Sequence, residues 1–270
     1  MQLSSQINLH DFALVIINSS GGKDSVCAIY EIVRLAKEQN YSLTQIKVSH
    51  QDLGNVEWEG TKDLAKEQAT FFGLDIHFSK RRDKNKKEEP FLDYVERRGK
   101  WPSSKQRWCT SDYKRGPGAR IVTELTQFLC GCSSNILYVF GFRAQESPSR
   151  KKKENFKINT SLSTKKRKVY EYFPIQNWDT KKVWDTIKNN QLPYHYAYDL
   201  GMPRLSCVFC IFSPLDALVI AGKENPHLLD QYINVEEKIG HTFRKNFSLK
   251  AVKQKIQEGY TPSEIENWVM

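Results

Sequence analysis

Apolar positions along the chain fall into short blocks whose spacing changes in a regular order. "FALVIIN" (residues 12–18) is an unbroken, β-branched apolar run bounded by polar residues, which predicts a buried strand. The polar stretch "SSGGKDS" (residues 19–25) follows. Val26, Ile29, Ile32, Val33 and Ala36 then recur at helical spacing, which predicts an amphipathic helix. The order repeats: "QIKVSH" predicts a second strand, "EWEGTKDLAKEQATFFG" a helix closed by Gly73, "DIHF" a third strand and "ILYVFGF" (residues 136–142) a fourth. After "YEYFPI" and a helix carrying Val183, Trp184 and Ile187, the tail from Pro214 reads as mostly helical. Its last segment predicts a helix with Thr261 as N-cap, Pro262 at the first position and Glu264 completing a capping box.

Strands alternating with helices predict an α/β fold: a doubly wound, mostly parallel, Rossmann-like sheet with helices on both faces. The expected division is one domain over 1–213 and a helical C-terminal extension over 214–270. Ligands of such sheets sit beyond the carboxyl ends of the strands. Three polar clusters follow predicted strands, at residues 19–25, 50–61 and 143–150, and the topology is expected to bring them to one crevice. Two stretches read as outside the core. Residues 80–120 are basic, with "KRRDKNKKEE", Trp101, Trp108 and "GPG"; residues 150–168 are basic and poor in apolar residues, expected as a mobile loop or lid. Each reads either as a solvated charged loop or as a contact to phosphate or nucleic acid.

A net charge of +10 strengthens the second reading, because it favours an anionic partner such as a nucleotide or nucleic acid. No apolar run approaches the ~20 residues that span a bilayer. "MQLSSQINLHDF" has no basic region followed by an apolar stretch, so a cytoplasmic protein with no membrane partner is expected. In that compartment the six cysteines (27, 109, 130, 132, 207 and 210) point away from disulfides and toward metal, cluster or redox work, with Cys27, Cys130 and Cys132 read as structural.

The strand–"SSGGKDS"–helix order carries the candidate chemistry. Gly21 and Gly22 let backbone amides turn toward a ligand, and the next helix presents unpaired N–H groups and a positive dipole end. Lys23 supplies a cation, and Ser19, Ser20 and Ser25 supply hydroxyls. Asp24 is repulsive to phosphate unless it faces Mg²⁺ or caps the helix. The letters do not fit GxxxxGK[ST], so this is not an ordinary P-loop; a plain surface turn is the alternative.

"SGGKDS" after a strand resembles the PP-loop of the N-type ATP pyrophosphatases, which cut ATP between the α and β phosphates and hold the pyrophosphate in this loop. The resemblance runs from about residue 13 to 213 and is to the phosphoadenosine-phosphosulfate-reductase-like branch, with its adenine nucleotide alpha hydrolase-like fold. "HQDLGNVEWEGT" is similar to the second nucleotide segment, which implies that Asp52 lies by the ribose or metal. "WCTSDYKRGP" resembles the cysteine–lysine segment. "GFRAQESPSRK" resembles a GxRxxES motif, which implies that Arg143 and Arg150 meet phosphate or sulfate oxygens, with Glu146 orienting them and Ser147 beside them. "YFPIQNWDTKKVW" and "GMPRLSCVFC" complete the order.

Cys207 and Cys210 form CxxC, a spacing that lets two thiolates share one metal. The resemblance adds Cys109. Related sulfonucleotide reductases hold a [4Fe–4S] cluster with an adjacent cysteine pair plus CxxC; here Trp108 stands where the extra cysteine would be. The resemblance therefore implies either a three-cysteine cluster with an open iron or Zn²⁺ with a fourth ligand such as His50; buried free cysteines are the other reading. Those reductases also use a nucleophilic cysteine in a C-terminal Glu-Cys-Gly motif and have a degenerate PP-loop. No cysteine follows Cys210 in this sequence, and the loop keeps Gly21, Gly22, Lys23, Asp24 and Ser25. The expected activity is therefore ATP pyrophosphatase, with ATP and Mg²⁺, and with Lys23, Asp24 and Arg143 as catalytic residues. It would activate an oxygen for replacement by sulfur, as in DNA phosphorothioation or tRNA thiolation, with a nucleic-acid acceptor and a cysteine desulfurase as sulfur donor. The alternatives are a sulfonucleotide reductase with thioredoxin as partner, and a non-catalytic nucleotide-binding subunit of a nucleic-acid defence complex.

Overall fold

The computed structural model describes residues 7–129 and 134–265. In chain order the elements are β1 (Leu14–Ser19), α1 (Lys23–Glu38), β2 (Ile46–Gln51), α2 (Thr61–Phe71), β3 (Asp75–Ser79), α3 (Phe91–Arg98), α4 (Gly116–Thr126), β4 (Ser134–Phe140), β5 (Phe156–Ile158), β6 (Arg167–Tyr172), α5 (Thr180–Asn189), α6 (Leu215–Glu224), α7 (Pro226–Ile239) and α8 (Leu249–Gln257). The chain folds into two compact units, each assembled from separate stretches. The first holds residues 1–50, 63–78 and 118–194, the second residues 51–62, 79–117 and 195–270. The boundary expected at 213 falls inside the second unit. Among the described residues no helix is long and apolar enough to cross a membrane.

The first unit carries a six-stranded sheet in the order β3-β2-β1-β4-β6-β5. β1 pairs in parallel with β2 and β4, and β4 in parallel with β6. The α/β, mostly parallel architecture is the expected one. Val15, Ile16 and Ile17 are fully buried, as a central strand covered on both faces requires. β1 lies between β2 and β4, so the strand order reverses there, and this is the position where doubly wound sheets bind ligands.

Residues 150–168 are mostly turn and irregular backbone, but they also hold a strand. Phe156–Ile158 is an edge strand, antiparallel to β6, with Phe156 stacked on Tyr170 at 5.3 Å. Its neighbouring lysines give it the charge that edge strands use against further pairing.

In the second unit α3, α6, α7 and α8 share one core, which also takes in much of the stretch expected to lie outside any core. Phe91, Tyr94, Trp101, Trp108 and Tyr113 are all buried. Trp101 stacks on Tyr232 at 5.1 Å, and Trp108 on Phe91 at 5.5 Å. The charges that suggested a loop lie over this aromatic layer: the Arg81 guanidinium sits 3.9 Å from the Tyr94 ring centre, a cation–π contact. The helix expected from Thr261 does not begin there, since residues 261–265 are not helical. Instead the Ser263 amide and hydroxyl both donate to the Asp216 carboxylate, which holds this segment against α6.

Candidate functional site

In the first unit, β1 ends at Ser19 and α1 begins at Lys23, which leaves three residues to reverse the chain. Gly21 adopts φ +72°, a left-handed conformation that side chains disfavour. The Ser19 hydroxyl accepts from the Gly21 amide at 3.1 Å, and the Ser25 hydroxyl donates to the Gly22 carbonyl at 2.7 Å. Ser19, Gly21, Gly22 and Ser25 are buried, whereas Ser20 is exposed. Gly22 is the N-cap of α1 and gives it no side-chain cap, so the positive dipole end of the helix is not met by a capping side chain, while the Ser25 amide donates to the Gly22 carbonyl at 3.1 Å.

Lys23 is 2% exposed. Its Nζ lies 3.7 Å from one Asp24 oxygen, and Arg143 Nε donates to the other at 2.5 Å. Asp24 therefore bridges two cations. Two cations against one carboxylate leave the cluster net positive beside a helix N-terminus. Arg143 Nη1 also donates to the Gln145 side chain at 2.9 Å, to Thr180 at 3.3 Å and to the Trp178 carbonyl at 3.5 Å, so the guanidinium is fixed before any ligand arrives. Glu146 accepts from the Arg143 amide at 2.9 Å and pairs with Arg150, whose guanidinium lies over Phe142. The Ser147 hydroxyl accepts from the Arg150 amide at 3.4 Å. The polar clusters after β1 and β4 are thus joined through Asp24 and Arg143.

Two further residues complete this arrangement: Gln68, which the sequence did not single out, and Gly141, which opens the GxRxxES segment. Gln68 of α2 donates to the Gly21 carbonyl at 3.1 Å and to the Pro193 carbonyl at 3.0 Å, tying down the loop from a distant helix. Gly141, at the end of β4, runs against the start of α1: a Cβ there would sit 2.4 Å from the Asp24 carbonyl oxygen. A glycine one residue past a strand was the available signal for Gly141; Gln68 had none.

His50, next to last in β2 and in the first unit, directs Nδ1 to the Ser19 carbonyl at 3.0 Å. The candidate cysteine ligands lie in the second unit.

Asp52 also belongs to the second unit. One oxygen accepts from the Gly54 amide at 2.8 Å and the other pairs with Lys62 at 3.2 Å and Lys80 at 3.8 Å. Burial pushes its carboxyl upward, but the Gly54 amide and the two lysines outweigh that and hold it below the usual carboxylate range. A lowered pKa stabilises the folded state fully above the ordinary carboxylate pKa, and the contribution disappears as pH falls through the lowered value. Asp52→Asn is expected to flatten the acid limb of the stability curve while leaving its shape above pH ~5 unchanged. Denaturant midpoints from pH 7 to 2.5 check this; parallel curves for both proteins would exclude the linkage.

Cys109, Cys207 and Cys210 pack against the same core and are close enough to influence one another's ionisation. Burial pushes Cys109 up and Cys207 up to about 12, against the opposing charge of Lys114, so both are thiols near neutrality. Lys114 keeps exposed surface, yet enough protein surrounds its ammonium to disfavour the charge; Cys207, Cys210, Glu57 and Cys109 outweigh this and raise its pKa. Trp108 fills a core position beside Cys109. Among the described residues no three His, Cys, Asp or Glu side chains are gathered closely enough to hold a metal. The three thiols that the resemblance names for a [4Fe–4S] or zinc site, Cys109, Cys207 and Cys210, lie in one unit as partly buried groups against one core. Cys27 is buried, with its thiol directed at the Val183 carbonyl at 3.6 Å, as a structural cysteine should be. Cys130 and Cys132 lie outside the described residues.

Residues 14–212 match the model of the phosphoadenosine phosphosulfate reductase domain. An uncharacterized protein of Methanocaldococcus jannaschii is 26% identical over 223 residues, covering 82% of this chain and 47% of that protein. The adenosine 5'-phosphosulfate reductase of Oceanobacillus iheyensis is 36% identical over 73 residues, 27% of this chain and 28% of its own length. The chain thus spans less than half the length of these curated relatives. Among solved structures, the phosphoadenylyl-sulfate reductase of Candida auris in a phosphate complex aligns with TM-score 0.48 and 17% identity, over 73% of this chain and 82% of that one. The U34-tRNA thiolase of Methanococcus maripaludis with its [4Fe–4S] cluster aligns with TM-score 0.38 and 13% identity, over 95% and 76%. With the family match spanning the sheet, the loop after β1 and the arginine segment after β4, the chain belongs to the phosphoadenosine phosphosulfate reductase domain family, a branch of the PP-loop superfamily.

Proposed function

We propose that this chain is an ATP pyrophosphatase that cleaves ATP to AMP and pyrophosphate, activating a substrate oxygen for replacement by sulfur. The observation that carries the reading is the loop after β1: an uncapped helix start with buried Lys23 fixed beside it by the Asp24–Arg143 pair. In this reading the loop amides and Lys23 take the charge that grows on the departing pyrophosphate, and the helix dipole acts in the same sense. Asp24 and Arg143 keep Lys23 in place, which removes the cost of ordering it during the reaction. Glu146 holds Arg150 near the remaining phosphate. Mg²⁺ would enter with the triphosphate. Adenylation converts the acceptor oxygen into a good leaving group, and a sulfur nucleophile expels it as AMP.

The basic charge supports a nucleic acid as acceptor, in DNA phosphorothioation or tRNA thiolation, with a cysteine desulfurase as the sulfur source. Cys109, Cys207 and Cys210 would be the holders of a cluster or zinc. Purified protein incubated with α-labelled ATP and Mg²⁺, with and without DNA, tRNA and a sulfur donor, is expected to release AMP and pyrophosphate; ADP, or no turnover under every condition, overturns the reading. The family match favours one second reading, a sulfonucleotide reductase. It predicts sulfite release from phosphoadenosine phosphosulfate with thioredoxin present, and no AMP from ATP.

A further inference from the structure

The second unit carries a groove of about 590 Å³ with a strongly one-sided lining. Arg98, Lys100, Lys105, Arg107 and Arg115 line it together with Trp108, and no carboxylate does. None of the five cations is within ion-pair distance of an acid among the described residues, although the chain pairs many of its other lysines and arginines. Asp112, close by in the chain, is engaged by Ser111 at 2.6 Å, Tyr94 at 2.6 Å and Arg81 at 3.9 Å, and it also feels the Arg98 charge from beyond ion-pair distance, which offsets part of that one cation.

Two of the guanidiniums are held in place by neutral groups. Arg98 donates to the Tyr94 hydroxyl at 3.0 Å and lies 5.1 Å from the Trp108 ring centre; Arg107 lies 4.9 Å from the Phe212 ring centre. Aromatic faces orient a guanidinium without neutralising it, so its charge stays available to an anion. Trp108 is 6% exposed, and its buried Nε1 donor has no partner among the described residues. Five like charges confined to one groove repel each other, and an anion with several charges relieves that repulsion. Because the one aromatic residue in the lining is buried, the groove has phosphate contacts to offer and no open stacking platform for bases.

We infer that this groove binds consecutive phosphodiesters of a nucleic-acid backbone, independently of base sequence, and so holds the acceptor strand next to Cys109. The inference rests on the reading that the acceptor is a nucleic acid. Cys109 directly follows Trp108 in the chain. The groove and the three cysteines belong to the same unit.

The test is fluorescence anisotropy with a labelled 20-nucleotide single strand, its duplex and tRNA, between 50 and 300 mM KCl. The wild-type protein is expected to bind at least one of them with steep salt dependence. A Lys100→Ala, Lys105→Ala double variant should bind that probe about tenfold more weakly, with the slope of log affinity against log salt reduced by about one to two. A Lys165→Ala, Lys166→Ala variant makes the same change in net charge at exposed positions of the first unit that do not line the groove, and should stay near wild type. Equal binding by the groove variant and wild type, equal losses in both variants, or no binding of any probe by wild type overturns the inference. Pyrophosphate release from ATP, measured on the same preparations with the bound probe and a sulfur donor present, tests the activity separately: binding without release refutes the proposed activity and leaves the groove assignment standing.

Discussion

Lys23→Ala is expected to lower α–β cleavage of ATP by about 10²–10³-fold, the loss typical when one preorganised donor to a developing charge is removed. Lys23 is suited to such an effect because it is 2% exposed, so little water competes with it for phosphate oxygens. Its position does not depend on the ligand, since Asp24 holds it from one side while Arg143 holds Asp24 from the other. In the variant Asp24 keeps its Arg143 partner, so the loop should still fold and the loss should fall mainly on turnover, with a smaller effect on ATP affinity. Release of AMP and pyrophosphate from α-labelled ATP, alongside ATP titration of the inactive protein, separates the two. A variant that turns over like wild type would remove Lys23 from the chemistry.

Gly141→Ala is expected to lower stability by about 1–3 kcal/mol, as overpacking commonly does. For a chain of this size that is a fall in Tm of several degrees, at about 2–4 °C per kcal/mol. The added methyl would meet the Asp24 carbonyl oxygen at 2.4 Å, its carbon at 2.7 Å and the Ser25 amide nitrogen at 3.0 Å. These are backbone atoms at the start of α1 and cannot swing aside as a side chain does. Relief requires β4 and α1 to separate, and that moves Asp24 relative to Arg143. ATP affinity should therefore fall together with Tm, as thermal unfolding with and without ATP would reveal. An alanine variant with unchanged Tm and unchanged ATP-induced shift would mean that this contact does not position the loop.

The two substitutions differ in how visible their sites are in the sequence. Lys23 belongs to a local pattern: apolar run, glycine pair, lysine, helical spacing. Each part of that pattern acts within a few residues, so strand, loop and helix can be read in order. The consequence of Gly141 lies in a residue more than one hundred positions earlier. The meaning of Asp24 lies equally far off, later in the chain, since it bridges Lys23 and Arg143. Strand pairing between β1 and β4 brings those groups together, and pairing of distant strands leaves no periodic trace in either segment.

Composition misled where burial depended on a few positions. Residues 80–120 contain many charges, yet Phe91, Leu92, Tyr94 and Val95 lie on the buried side of α3 and anchor a core shared with Leu53, Val56 and Trp58, with the aromatic residues of the same segment and with the end of the chain. Averaging over the segment hid that face. Residues 150–168 conceal a three-residue strand, too short for alternation to register. The cysteines show the same limit, because CxxC fixes the spacing of two thiols along the chain and says nothing of whether a third approaches them.

The sequence by itself determined the alternation of strands and helices, the glycine turn before α1 and the supply of cations, because local sterics and hydrophobic period act over neighbouring residues. Only the tertiary structure decided which cation is buried, which carboxylate holds it, which glycine allows two backbones to meet and which charged surface forms a groove. Those outcomes depend on distances between residues far apart in the chain, and packing alone sets them.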